Sequence, residues 1–105
     1  MYAMVQHQIS RMFTVKPSKN GCSVITNFVL PDGDNLVLDL VYNGNNYFVT
    51  DSGRLSNYYC DLKFDDVSID NGRIVAIVDG SYGFAIIRVI QYCLTLIGKC
   101  YGWYF

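Results

Sequence analysis

A chain of 105 residues, 51% of them hydrophobic, can bury roughly 65% of its unfolded surface around one core, so residues 1–105 read as a single globular domain that needs neither disulfides nor metal. Its net charge of −1 hides a sorted distribution: all nine acidic residues are aspartates between Asp32 and Asp79, opposed there only by Arg54, Lys63 and Arg73 for a local net of −6, while Arg11, Lys16 and Lys19 precede them and Arg88 and Lys99 follow. Such a face grips a phosphate backbone poorly and suits a cationic partner; the plainer account is that aspartate fills turns, where its short side chain caps backbone groups.

Tyr2, Val5, Ile9 and Met12 or Phe13 recur at helical spacing, with Gln6, His7, Ser10 and Arg11 on the other side, which predicts a short amphipathic helix ending before Lys16-Pro17. Phe13-Thr14-Val15 opens a strand, Lys19-Asn20-Gly21 turns, and Cys22 to Val29 is β-branched and extended. Pro31-Asp32-Gly33-Asp34 closes a turn, and Leu36, Leu38 and Leu40 alternate with Val37, Asp39 and Val41 in a strand that Asn43-Gly44-Asn45-Asn46 separates from Tyr47 to Thr50. Thr50 or Asp51 is placed to cap a second helix through Leu55, Tyr58 and Tyr59. Asp70-Asn71-Gly72 predicts a hairpin between Val67-Ser68-Ile69 and Arg73 to Val78. A last helix starts at Ser81 or Gly83 and leaves a narrow polar stripe of Arg88, Gln91, Thr95 and Lys99. The expected fold is α+β: a mainly antiparallel sheet built from hairpins, packed by an N-terminal and a long C-terminal helix.

The run Phe28-Val29-Leu30-Pro31-Asp32-Gly33-Asp34-Asn35-Leu36, followed by Tyr47-Phe48-Val49-Thr50-Asp51-Ser52-Gly53, resembles the bacterial and phage family known as domain of unknown function 1828. In that family an aspartate after a turn opens a strand, and a Thr-Asp-x-Gly motif ends the next strand; Asp34, Thr50, Asp51 and Gly53 hold the matching places over a likeness spanning about Phe28 to Val78. The link from Cys60 to Asp66 is shorter than the family's usual helical insert. The resemblance implies an α+β fold and a setting in prophages, phages and mobile elements, and it brings no catalytic residues.

The parts that an enzyme needs are sparse. His7 is the sole histidine and falls on the polar side of the first helix, so no triad assembles around it. Cys22, Cys60, Cys93 and Cys100 are spaced 38, 33 and 7 positions apart without a Cys-x-x-Cys pair, which argues for reduced, mostly buried thiols and no metal. Gly80-x-x-Gly83 lacks the lysine and hydroxyl of a phosphate loop. The apolar run Phe84 to Gly98 is short for a membrane span and is broken by Arg88 and Gln91, and the first eight residues show no secretory signal, so a cytoplasmic chain in the host cell is expected.

These readings predict a non-enzymatic, cofactor-free binding protein of phage or mobile-element origin. Its acidic face would block a basic, nucleic-acid-binding surface of a host defence complex, an anti-CRISPR type of inhibition. The expected contact residues are Asp32, Asp34, Asp51, Asp65, Asp66 and Asp70, with Tyr101 and Trp103 of the aromatic tail as a further anchor. No direct nucleic-acid or membrane contact is expected, and the chain is expected to be a monomer whose first helix and tail cover the last helix. The rivals are a nucleic-acid-binding or regulatory module built on Arg11, Lys16, Lys19, Arg88 and Lys99, and an aspartate-dependent enzyme centred on Asp51, a carboxylate between strand and helix.

Overall fold

Short turns with the residues that tolerate them lay out the sheet. The computed structural model describes residues 1–4 and 13–102, of which residues 2–4 are helical; the rest of the predicted first helix, His7 included, and Trp103 lie outside the described residues. Strand β1 (Phe13–Ser18) pairs antiparallel with β2 (Gly21–Val29) across the Lys19-Asn20 turn. β3 (Asn35–Tyr42) follows the Asp32 to Asp34 turn, and β4 (Tyr47–Thr50) follows a loop in which the Asn43 carboxamide accepts from the Asn45 and Asn46 N–H groups at 3.0 and 2.9 Å. β5 (Ser68–Asp70) and β6 (Arg73–Ile77) flank Asn71 and Gly72, whose φ angles of 52° and 75° suit a two-residue hairpin turn. The strands form one six-stranded sheet in the order β1-β2-β3-β4-β6-β5, every neighbouring pair antiparallel.

The period-two pattern sets the two faces of the sheet. Leu36, Leu38, Val49, Ile74 and Ala76 point to one side and are buried beneath helix α1 (Tyr82–Cys100) through its Ala85, Val89, Ile90, Cys93, Leu96 and Ile97. Val37, Asp39, Val41, Phe48 and Val75 occupy the other face and are half-buried. Ser81 caps α1 by accepting from the Phe84 N–H at 3.3 Å. At 19 residues α1 is longer than the predicted apolar run, and by length and composition it is apolar enough to cross a membrane; here one side of it packs on the sheet. The α+β reading therefore holds.

Two expectations are corrected. No helix follows Thr50: Ser52 and Gly53 both adopt positive φ, 54° and 77°, so the chain curls left-handed around Asp51 and only a 3-10 turn, Ser56–Tyr58, forms. The thiols are all free, but only Cys93 is fully buried, Cys100 being exposed and Cys22 and Cys60 half-buried. The irregular link between Tyr58 and Ser68 is stitched to α1 instead, through Tyr92 to the Leu62 carbonyl at 3.0 Å, Lys99 to the Asp61 carbonyl at 3.2 Å and Arg88 to Asp66.

Candidate functional site

The nine aspartates fall into three physical situations. Asp51, expected on the partner-binding face and at the heart of the enzyme rival, is 0% exposed. Its Oδ1 accepts from the N–H of Gly53 at 2.9 Å and of Ile74 at 2.8 Å; its Oδ2 accepts from the Leu55 N–H at 3.0 Å and the Tyr59 hydroxyl at 2.6 Å. Four donors, three from the stretch around the 3-10 turn and one from β6, converge on one carboxylate, so it ties the two together. It cannot meet a partner at the surface, which corrects its place among the contact residues. Burial first, and then the hydrogen bond to Asp51, push the Tyr59 phenol above its ordinary pKa. Burial likewise raises the Cys93 thiol, and the Asp51 charge adds to the rise.

Asp39 and Asp66 are partly spent on neighbours. Asp39, on the sheet face opposite α1, accepts from Ser23 at 2.8 Å and Ser52 at 2.6 Å and pairs with Arg54 at 2.9 Å. Burial raises its pKa, but the hydrogen bonds from Ser52 and Ser23 together with Arg54 outweigh that and hold it below the usual carboxylate value. Asp66 is gripped from two sides by Arg88, Nε to Oδ2 at 2.7 Å and Nη2 to Oδ1 at 2.8 Å, and this hydrogen bonding lowers its pKa. Arg88 also lies 4.7 Å over the Phe64 ring and donates to Gln91 at 2.9 Å.

The remaining aspartates are exposed. Asp32 accepts from the Asp34 N–H at 3.0 Å, which is turn chemistry, and this pair lines a shallow depression with Arg54 nearby. Asp70 closes the β5–β6 hairpin and lines another with Arg73. Asp65, Asp66 and Asp79 converge on a third groove, between the start of β5 and the last residues of β6. A smaller depression on the α1 side shares Asp66, Ala76, Ile77 and Asp79 with it and adds Phe84 and Arg88. Ile77 and Phe84 are 64% and 61% exposed. Among the described residues Asp65 and Asp79 make no ion pair, and Arg88, which grips Asp66 and also feels the Asp65 charge, is the one cation lining the adjoining depression, so the groove keeps a net negative charge beside exposed apolar surface.

The predicted acidic face is thus divided: Asp65 and Asp66 share a groove, Asp32 and Asp34 sit at a separate turn, Asp70 at a third place, and Asp51 inside. Asp79 was missed, because adjacency in sequence cannot pair it with Asp65. The hairpin register, with Asp70 opposite Arg73 and Ser68 opposite Val75, stops at Ser68, and the bend at Asp65 and Asp66 that brings Asp65 to the same groove as Asp79 has no marker in the sequence. Tyr101 is half-exposed, with its ring 6.3 Å from that of Tyr58. The basic residues of the nucleic-acid rival are dispersed: Lys16 and Lys19 are at the β1 edge, Arg88 is tied to Asp66, Lys99 reaches the Asp61 carbonyl, and Arg11 is outside the described residues. Among the described residues no group of three or more metal-ligating side chains is gathered.

No family model matches the chain, and neither a curated protein nor a solved structure matches it.

Proposed function

We propose that this is a non-enzymatic binding protein whose acidic groove at the β5–β6 edge occupies a basic, nucleic-acid-binding surface on a host protein, in its concrete form as a monomeric inhibitor of a bacterial defence complex of the anti-CRISPR type. The observation that carries this reading is the meeting of Asp65 and Asp79, neither in an ion pair, with exposed Ile77 and Phe84 in one place. Exposed charge steers a cationic partner, and adjacent apolar area supplies the short-range attraction that charge alone lacks in water. The phage or mobile-element setting is what the resemblance over Phe28 to Val78 implies. Asp51 contributes architecture, since four protein donors already occupy its oxygens.

The test is phage plating on bacteria carrying each of a panel of CRISPR systems, with and without the protein. Wild type restores plaques against at least one system, and Asp65→Asn with Asp79→Asn reduces that protection about tenfold or more. Absence of protection across the panel, or equal protection by the double variant, overturns the proposal.

A further inference from the structure

The two edges of the sheet are finished differently. β1 is an exposed edge, but it carries Lys16 and Pro17, a charge and a missing donor that discourage another strand from pairing there. At the far side β5 spans only Ser68–Asp70 and covers β6 no further than Val75. Beyond that point β6 continues through Ala76 and Ile77 with no strand on its outer side among the described residues.

Hydrogen-bond parity shows what that gap presents. The Val78 N–H donates to the Tyr47 carbonyl at 2.9 Å and the Ile74 N–H donates to Asp51 at 2.8 Å, so Ile74, Ala76 and Val78 direct their main-chain groups towards β4. Main-chain direction alternates along a strand. Arg73, Val75 and Ile77 therefore direct theirs outward; β5 meets the first two, at Asp70 and Ser68, and the Ile77 N–H and C=O face the groove. The chain that would have extended β5 bends away at Asp65 and Asp66 while Val67 turns into the core. The result is a strand-shaped notch, roughly four residues or ~13 Å long at the usual rise, with Asp65 and Asp79 on its walls and Ile77 exposed.

We propose that this notch accepts an extended segment of the partner protein, which continues β5 along β6 and bears lysine or arginine at the positions facing Asp65 and Asp79. This rests on the acidic groove being the partner surface, and it adds the mode of recognition: main-chain bonding to Ile77 supplies the anchor and the aspartates select a basic sequence. Charge complementarity names the occupant. An acidic strand is repelled at the same place, and an uncharged strand leaves both carboxylates unpaired.

The experiment is amide NMR titration of the intact protein with an end-blocked heptapeptide of alternating lysine and valine, against the same peptide N-methylated at every second residue and a glutamate–valine counterpart. The lysine peptide shifts the amides of Ser68, Ile77 and Asp79. N-methylation, which removes donors without removing charge, weakens binding about tenfold or more, an amount corresponding to one main-chain hydrogen bond. Ile77→Pro deletes the outward N–H while sparing the β4 ladder; a melting temperature within a few degrees of wild type together with lost binding supports strand addition. The N-methylated peptides keep the test decisive if that variant unfolds. Equal affinity for methylated and unmethylated lysine peptides overturns strand addition and leaves the acidic-groove reading standing. No shift with any peptide also overturns it, while the plating assay separately decides the fate of the groove reading. Concentration-dependent shifts of the same amides without peptide overturn it in favour of a second copy as occupant.

Discussion

Asp51 and the Asp65–Asp79 pair are the same side chain put to opposite uses. Asp51 is withdrawn from water and surrounded by four donors, so its charge is satisfied by the fold itself. Asp65 and Asp79 remain in solvent with no ion pair among the described residues, beside exposed Ile77 and Phe84. A carboxylate whose oxygens are all committed stabilises the protein and offers nothing to a partner; one left uncommitted stabilises little and is available to bind. Net charge does not distinguish them.

Removing Asp51 is the most forceful way to break that contrast. Asp51→Ala strands the N–H groups of Gly53, Leu55 and Ile74 and the Tyr59 hydroxyl in the interior, and chemical denaturation should show a loss of about 3–5 kcal/mol, the range for uncompensated buried polar and charged partners. Asp51→Asn keeps the shape but turns an NH₂ group towards donors. Tyr59 can rotate to accept from it, whereas a main-chain N–H cannot, so that variant should still lose about 1–3 kcal/mol. A melting curve for Asp51→Asn that overlays wild type would mean that the carboxylate is not the organiser of this turn.

Asp39 tests an intermediate commitment. Its folded pKa lies below the ordinary value of about 3.9, so its stabilising contribution is present above that value and disappears as pH falls through the lower, folded pKa. The wild-type protein should therefore lose stability on acidification below about pH 4, and Asp39→Asn should lose less over that window while starting lower at pH 7. Parallel acid curves for the two proteins would show that Ser23, Ser52 and Arg54 do not hold this carboxylate.

How far these roles could be read in advance depends on where each carboxylate's partners come from. The hairpins were legible because Asn71-Gly72 and the Asn43 to Asn46 loop carry their turn chemistry locally, and so was the α1 cap at Ser81. Asp51 was half legible. Its bonds to Gly53 and Leu55 are those of a local cap, but the donor at Ile74 is 23 residues away and only the β4–β6 pairing delivers it. The predicted helix at Leu55 failed because two successive positive φ angles wound the chain around the carboxylate first. Asp79 shares a groove with Asp65 only because the chain bends at Asp65 and Asp66 before β5, and neither that bend nor the irregularity in β2 between Ile25 and Val29, where Thr26 donates to the Leu36 carbonyl at 2.8 Å, has a marker in the local pattern.

The smallest stability effect belongs to the groove, and its smallness is the informative result. Asp65→Asn with Asp79→Asn removes two exposed charges that form no ion pair among the described residues, so the free energy of unfolding should change by no more than about 0.5 kcal/mol, the usual span for exposed surface positions. Lower repulsion with Asp66 is offset by the lost attraction of Asp65 to Arg88. Asp66→Asn behaves differently, because it loosens the Arg88 clamp that holds the irregular link against α1. If the double variant instead unfolds readily, these aspartates are structural after all; if it keeps its stability and loses both partner binding and the salt dependence of association, the charge at this edge is there for the partner.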